Sequence, residues 1–173
     1  LKSKFKNVEF KLIEMKNIFN SFKETLSEFG NEHGLANSRA RLRMSTLYQV
    51  AASNYGIVVG TGNKVEDFGV GFYTKYGDGG VDISPIADCT KSEVWELGKY
   101  LGVIKEIIEA DPTDGLWNDG RNVMDQLGMT YIELEKAMKD KNDPNYEKYL
   151  EIRKKNLHKM NSIPVCKFDD KKS

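Results

Sequence analysis

Glycines, lysines, acids and aromatics crowd one stretch of this chain. It runs Val59-Gly60-Thr61-Gly62-Asn63-Lys64-Val65-Glu66-Asp67-Phe68, then Phe72-Tyr73-Thr74-Lys75-Tyr76-Gly77-Asp78-Gly79-Gly80-Val81-Asp82. That mixture suits a nucleotide with a metal ion better than a structural loop. Glycines leave backbone amides open and permit positive φ. Gly60-Thr61-Gly62-Asn63 follows the apolar run Ile57-Val58-Val59 directly. Ligands of open α/β sheets bind at the carboxyl ends of parallel strands, so this turn is a candidate seat for phosphate or adenosine. It matches neither the P-loop nor the Rossmann fingerprint, and a tight turn with a cap is the structural alternative.

Each charged residue nearby has a chemical and a structural reading. Glu66 is a candidate magnesium ligand, because magnesium takes oxygen ligands and bridges to phosphates; a solvated acid is the alternative. Asp78 and Asp82 could accept hydrogen bonds from an amide or amine of a substrate, whereas an Asx turn would satisfy Asp78 locally. Lys75 and Lys91 are candidates for phosphate charge. Lys91 falls in a first helical turn, where the macrodipole disfavours a cation, and this points to an anion beside it. Thr113, in Asp111-Pro112-Thr113, could donate its hydroxyl to the same anion. Arg41 and Arg43 could grip a phosphate or carboxylate in bidentate fashion. Phe72, Tyr73 and Tyr76 either stack on a flat ring or belong to the core. His33 and His158 are isolated, and Trp95 and Trp117 read as packing residues.

The elements that would position these groups are legible in outline. Val8 to Ile13 alternates loosely, as a strand would. Phe19, Phe22, Leu26 and Phe29 mark one apolar helix face. Gly30 to Gly34 reads as a loop, after which Asn37 caps a helix carrying Met44, Leu47, Tyr48 and Ala51 on one face. Asn54 and Gly56 end it. Ile57-Val58-Val59 reads as a short strand of a sheet covered on both sides. Thr90-Lys91-Ser92-Glu93 and Thr130-Tyr131-Ile132-Glu133 are capping boxes. Gly102 ends the first of these helices, and Val103 to Ile108 forms a second, short one. Asp143-Pro144 begins a polar helix to about Lys159. Lys167 to Ser173 forms a docked or frayed tail. The order predicts an α/β class: a three-layer, doubly wound parallel sheet in a single domain over 1–173, with its first strands outside this chain.

Bulk properties narrow the partners. The chain has 173 residues, 30% of them charged, with a formal net charge of zero. A general polyanion binder should be basic, so no nucleic acid is expected. No stretch is long and apolar enough for a bilayer, and none has a signal-peptide pattern. Cys89 and Cys166 lack metal-site spacing and suit free thiols in a reducing, cytoplasmic setting. Leu1-Lys2-Ser3-Lys4-Phe5-Lys6 reads as the tail of a helix, so the chain is expected to belong to something longer.

Taken in order, a set of blocks resembles NAD synthetase. They are Asn37-Ser38-Arg39-Ala40-Arg41-Leu42-Arg43-Met44, Gly60 to Glu66, Phe72 to Asp82, Pro85-Ile86 with Thr90-Lys91, Asp111-Pro112-Thr113, and Leu127-Gly128-Met129-Thr130-Tyr131. His158-Lys159 resembles the family's closing motif, and the likeness runs from about Asn31 to Pro164. The resemblance implies an ammonia-dependent ligase of the ATP-pyrophosphatase fold that makes NAD from deamido-NAD and ATP. An acyl adenylate would form with magnesium present, and AMP and pyrophosphate would leave. It implies a homodimer with deamido-NAD at the subunit interface. By the same resemblance Thr61 contacts adenosine, Glu66 holds magnesium, and Lys91 and Thr113 contact phosphates. Arg41, Asp78, Asp82 and Lys159 position deamido-NAD or ATP, with Lys75 and His158 among the binding residues. Lys91, Thr113 and Asp78 are the expected catalytic groups.

Two departures qualify this. The family's Ser-Gly-Gly-x-Asp-Ser loop, which grips pyrophosphate, is nowhere in the chain, so the polypeptide alone is expected to be inactive. Asn122-Val123-Met124 stands where the family has Thr-Asp-Glu. The alternatives are a non-catalytic remnant that binds ligand or dimerises, and another adenylating enzyme of the ATP-pyrophosphatase class.

Overall fold

A computed structural model describes residues 4–117 and 119–167. Leu1 to Ser3 and the tail from Phe168 to Ser173 lie outside the described residues, so the expectations for the opening tripeptide and the end of the tail fall there.

Helix α1 spans Lys16–Thr25, and a 3-10 turn, Ser27–Phe29, follows it. Phe19 and Phe22 lie on α1, whereas Leu26 and Phe29 belong to its exit. Helix α2 runs Glu32–Ser53. It starts earlier than its apolar pattern suggests, because Asn31 rather than Asn37 is the cap; the Asn31 Oδ1 accepts from the Gly34 amide at 2.7 Å. The expected loop at Gly30–Gly34 is therefore mostly the first turn of α2. Val8 to Ile13 forms no strand.

Helices α3 (Lys91–Tyr100), α4 (Lys105–Ile108), α5 (Val123–Leu127), α6 (Tyr131–Lys139) and α7 (Tyr146–Met160) complete the chain. Both capping boxes form as read: Thr90 with Glu93 opens α3, and Thr130 with Glu133 opens α6. A third, Asn122 with Asp125, opens α5. Asp143-Pro144 precedes α7 by one turn, with the Asp143 carboxylate accepting from the Asn145 amide at 2.8 Å.

The doubly wound parallel sheet is not what these residues build. Among the described residues there is no regular strand. One isolated parallel bridge joins Val59 to Ile83. It is held by Gly60 N donating to Ile83 O at 2.7 Å and Asp82 N donating to Val58 O at 2.9 Å. Of the apolar side chains there, Val58 is buried, whereas Ile57, Val59 and Ile83 are exposed. A parallel ladder needs neighbours on each edge and cover on each face before its slanted bonds hold a strand. Among the described residues the apolar run of 57–59 has one short partner, so its pattern yields a bridge and no layer.

Helices supply the core instead. Between the bridge and α3, residues Lys64–Val70 form a π-helical turn. Val65 and Val70 from this turn pack with Leu134, Ala137 and Tyr131 of α6, Tyr149 of α7, Val123 and Met129. Leu134, Val65 and Val70 are fully buried. Gly71 ends the π turn in the left-handed region, φ 66°. A Cβ there would lie 2.7 Å from the Asn156 Cβ of α7. Gly71→Ala is therefore expected to cost about 2 kcal/mol from left-handed strain and overpacking together, measurable as a lower urea midpoint at unchanged slope.

Candidate functional site

A cavity of about 450 Å3 opens between α2, the 58–62 segment, the π turn, the 77–81 turn and the 112–116 loop. Its wall brings together Thr61, Glu66, Asp78, Lys91 and Thr113, five of the residues singled out by type and spacing. They come from four separate stretches of chain, so the convergence is a product of the fold.

The π turn sets the floor. Asn63 caps it from a buried position, and its Oδ1 accepts from Val65 N at 3.0 Å and Glu66 N at 3.1 Å. The Asn63 Nδ2 donates to Glu66 Oε2 at 2.5 Å. Lys91 reaches Glu66 Oε1 from the first turn of α3 at 3.2 Å, with both side chains mostly buried. The Tyr131 hydroxyl donates to the same oxygen. Burial and the Glu66 charge hold the Tyr131 phenol well above its usual pKa. The Lys91 ammonium thus has its anion within the protein, which explains a lysine at a helix N-terminus.

Asp67 faces the cavity one residue on, packed against Gly62; a Cβ on Gly62 would lie 1.9 Å from Asp67 Oδ2. Burial, with Glu66 and Asp78 adding repulsion, pushes the Asp67 carboxyl up to about 7. Asp78 accepts from Thr74 N at 2.9 Å, four residues back, a link across the loop and not the forward Asx turn, while also facing the cavity. Burial raises its pKa, opposed by backbone hydrogen bonds and by Lys159.

Arg43 and Phe72 line it as well, whereas Arg41, Lys75, Asp82, His158 and Lys159 are not in its lining. Asp82 accepts from Val58 N at 2.7 Å and from the Tyr48 hydroxyl at 3.2 Å, fastening the bridge to α2. Arg41 donates from Nε to Lys75 O at 3.2 Å. Lys75 donates from Nζ to His158 O at 2.9 Å, so the backbone of His158 is what the contact uses. Lys159 donates to Gly71 O at 2.9 Å and Tyr73 O at 2.8 Å. It lines an adjoining cavity of about 330 Å3 that shares Asp78 with the first.

Arginines of α2 hold the far wall. Arg43 donates to Gly115 O at 3.2 Å, and Arg39 donates to Leu116 O while lying over the Phe19 ring. The segment that departs from the family pattern has structural work here. Asn122 caps α5, and the buried Val123 donates its amide to Pro112 O at 2.9 Å. Little in the sequence marks Asn63 or Tyr131 as wall-building residues. Asn63 carries the weak signal of an Asx cap after a glycine-rich turn, and Tyr131 sits inside a motif that reads as a helix start.

The donor set does not fit a magnesium ion as arranged. Both Glu66 oxygens already accept from protein donors, one of them a cation. Among the described residues no group of three or more His, Cys, Asp or Glu could hold a metal. Among the described residues there is no sheet to carry a pyrophosphate-gripping loop, and the expected amidation of deamido-NAD through an acyl adenylate is not a reaction this arrangement supports. The wall carries the hydroxyls of Thr61 and Thr113, the cations of Lys91 and Arg43, the acids Glu66, Asp67, Asp78 and Asp114, and open glycine backbone, a polar lining suited to a ligand with both hydroxyl and phosphate groups.

The chain matches the NAD synthase family over residues 3–171. It is 39% identical over 169 residues to an NH(3)-dependent NAD(+) synthetase of Archaeoglobus fulgidus, covering 94% of this chain and 67% of that protein. A Thermoplasma volcanium protein of the same name is 36% identical, with 88% and 64% covered. Among solved structures, an NMN synthetase from Francisella tularensis superposes with a TM-score of 0.86 at 34% identity, covering 94% of this chain and 68% of that one. The NH3-dependent NAD synthetase of Campylobacter jejuni gives 0.74 at 28% identity, with 93% and 67% covered. The chain belongs to the NAD synthase family. It spans about two thirds of the length of these relatives.

Proposed function

We propose that this 173-residue chain is a non-catalytic, nucleotide-binding module of the NAD synthase family. The observation that carries the reading is the convergence of Thr61, Lys91 and Thr113, with Asp78, on one cavity of about 450 Å3. ATP is the proposed ligand, with its phosphates toward Lys91 and Thr113 and its adenosine toward Thr61. Magnesium would arrive with the phosphates; Glu66 stays with Lys91 and Tyr131. The adjoining cavity, bounded by Asp78 and Lys159, is the proposed place for the second ligand, and Arg41, Lys75, Asp82 and His158 shape the walls through backbone contacts.

Further features belong to the same proposal: one domain over 1–173, assembly as a homodimer, and residence in the cytoplasm. The free thiols of Cys89 and Cys166 support the last. No helix among the described residues is long and apolar enough to cross a membrane.

Calorimetric titration of the chain with ATP, deamido-NAD and NMN tests the reading, NMN being included because of the Francisella likeness. Saturable heat with ATP is expected, together with no NAD when ATP, deamido-NAD, ammonia and magnesium are all supplied. Absence of binding by all three ligands would overturn the binding role. NAD formation would overturn the non-catalytic one.

A further inference from the structure

We propose that Tyr131 is a positioning residue, whose ring and hydroxyl together fix the Lys91 ammonium at the cavity wall, facing a ligand phosphate. Tyr131 is the first residue of α6, buried to 2% exposure behind the Thr130 capping box. Its ring centre lies 4.9 Å from Lys91 Nζ. Its hydroxyl donates to Glu66 Oε1, the oxygen that Lys91 meets at 3.2 Å. Trp95 of α3 meets the ring edge-on, with centroids 5.8 Å apart and an angle of 84°.

A residue serving only the core would need no polar tip. Leu134 and Ala137, on the same helix, are fully buried without one. The hydroxyl has a separate effect. Lysine is a point charge on a flexible four-carbon stem with three donors, and alone beside Glu66 it would collapse onto the carboxylate. The Tyr131 hydroxyl takes part of the accepting capacity of Oε1. The ring face attracts the ammonium without taking up any of its N–H bonds. Among the described residues, Glu66 is the one hydrogen-bond partner of Lys91 Nζ. Two N–H bonds of the cation are thus left without a partner among the described residues, and Lys91 lines the cavity.

The ligand arm of this inference rests on the nucleotide reading above; its geometric arm does not. In the full chain, Tyr131→Phe keeps the ring and removes the hydroxyl. It is expected to weaken ATP about five- to tenfold, less than a direct hydrogen bond to a charged group contributes, because the hydroxyl reaches the phosphate only through Lys91, and to leave adenosine unchanged. Tyr131→Leu removes both and is expected to weaken ATP further, again sparing adenosine. A merely structural tyrosine would weaken both ligands together, and an unchanged ratio of ATP to adenosine affinity in both variants would overturn the proposal. Without ligand, lysine-selective NMR is expected to show an upfield ε-methylene that is lost in both Lys91→Met and Tyr131→Leu, while any shifts of Lys23, Lys75 and Lys159 beside their own rings persist. If no shifted lysine signal is lost in both variants, the proposal fails whatever ATP does. If the unsubstituted chain bound neither ATP nor adenosine, the nucleotide reading would fail, and the upfield lysine would decide the placement of Lys91.

Discussion

Leu134→Ala is expected to lower the unfolding free energy by about 3–4 kcal/mol, among the largest losses any single substitution here should give. Leu134 is fully buried, and it packs where α6 meets the π turn and α7. Truncation removes the transfer free energy of the deleted carbons and leaves a cavity that the surrounding helices fill only in part. In a domain of this size each kcal/mol moves the midpoint by about 2–4 °C, so a fall of roughly 10 °C in thermal unfolding should be seen. The core contains few large side chains, and the π turn rests directly on Leu134's neighbours Val65 and Val70. Nucleotide affinity should therefore fall too, because Glu66 belongs to that turn. A loss below about 1 kcal/mol would mean that α6 does not pack on the π turn as described.

Lys91→Met should have the largest effect on ligand binding, a drop of about 10- to 100-fold for ATP, in the range seen when one partner of a desolvated charge pair is truncated. Adenosine, which carries no phosphate, should bind as before. The effect on stability is smaller, about 1–2 kcal/mol. Glu66 loses its cation but keeps its hydrogen bonds from Asn63 and Tyr131, so the carboxylate is left short of charge and not of partners. Removing a lysine from a first helical turn also returns a few tenths of a kcal/mol. Adding Glu66→Gln to Lys91→Met should recover part of the stability and none of the ATP affinity. Recovery of affinity in the double variant would show that Lys91 acts only by neutralising Glu66.

The local signals proved more legible than the global ones. Thr90, Thr130, Asn54 and Gly102 mark helix ends by chemistry that acts within one turn, and the chain obeys them. Thr61, Glu66, Asp78, Lys91 and Thr113 line one cavity, and the sequence groups them because their types suit phosphate chemistry and their order resembles a family. A sheet is harder to read from sequence for a reason of range. Ile57-Val58-Val59 has strand propensity, yet a strand exists only with partners, and among the described residues it finds one bridge, to Ile83. The roles of Asp82, Lys75 and Lys159 were also hidden in the sequence. Each spends its polar group on a backbone atom 24 to 88 residues away, a pairing that no local pattern encodes. Asn63 and Tyr131 carry no distinct signal in the sequence, because each does a structural task that reads as ordinary capping.

Lys159 Nζ on Gly71 O and Tyr73 O, with Lys75 Nζ on His158 O, stitches the last turn of α7 to the segment that presents Asp78. Such cross-links make two distant stretches open together or not at all. Backbone amides of the final α7 turn should then share one hydrogen-exchange rate regime with those of Thr74 and Gly77. Deuterium uptake at the far end of the chain becomes a reporter of whether the cavity wall is closed, readable without any ligand.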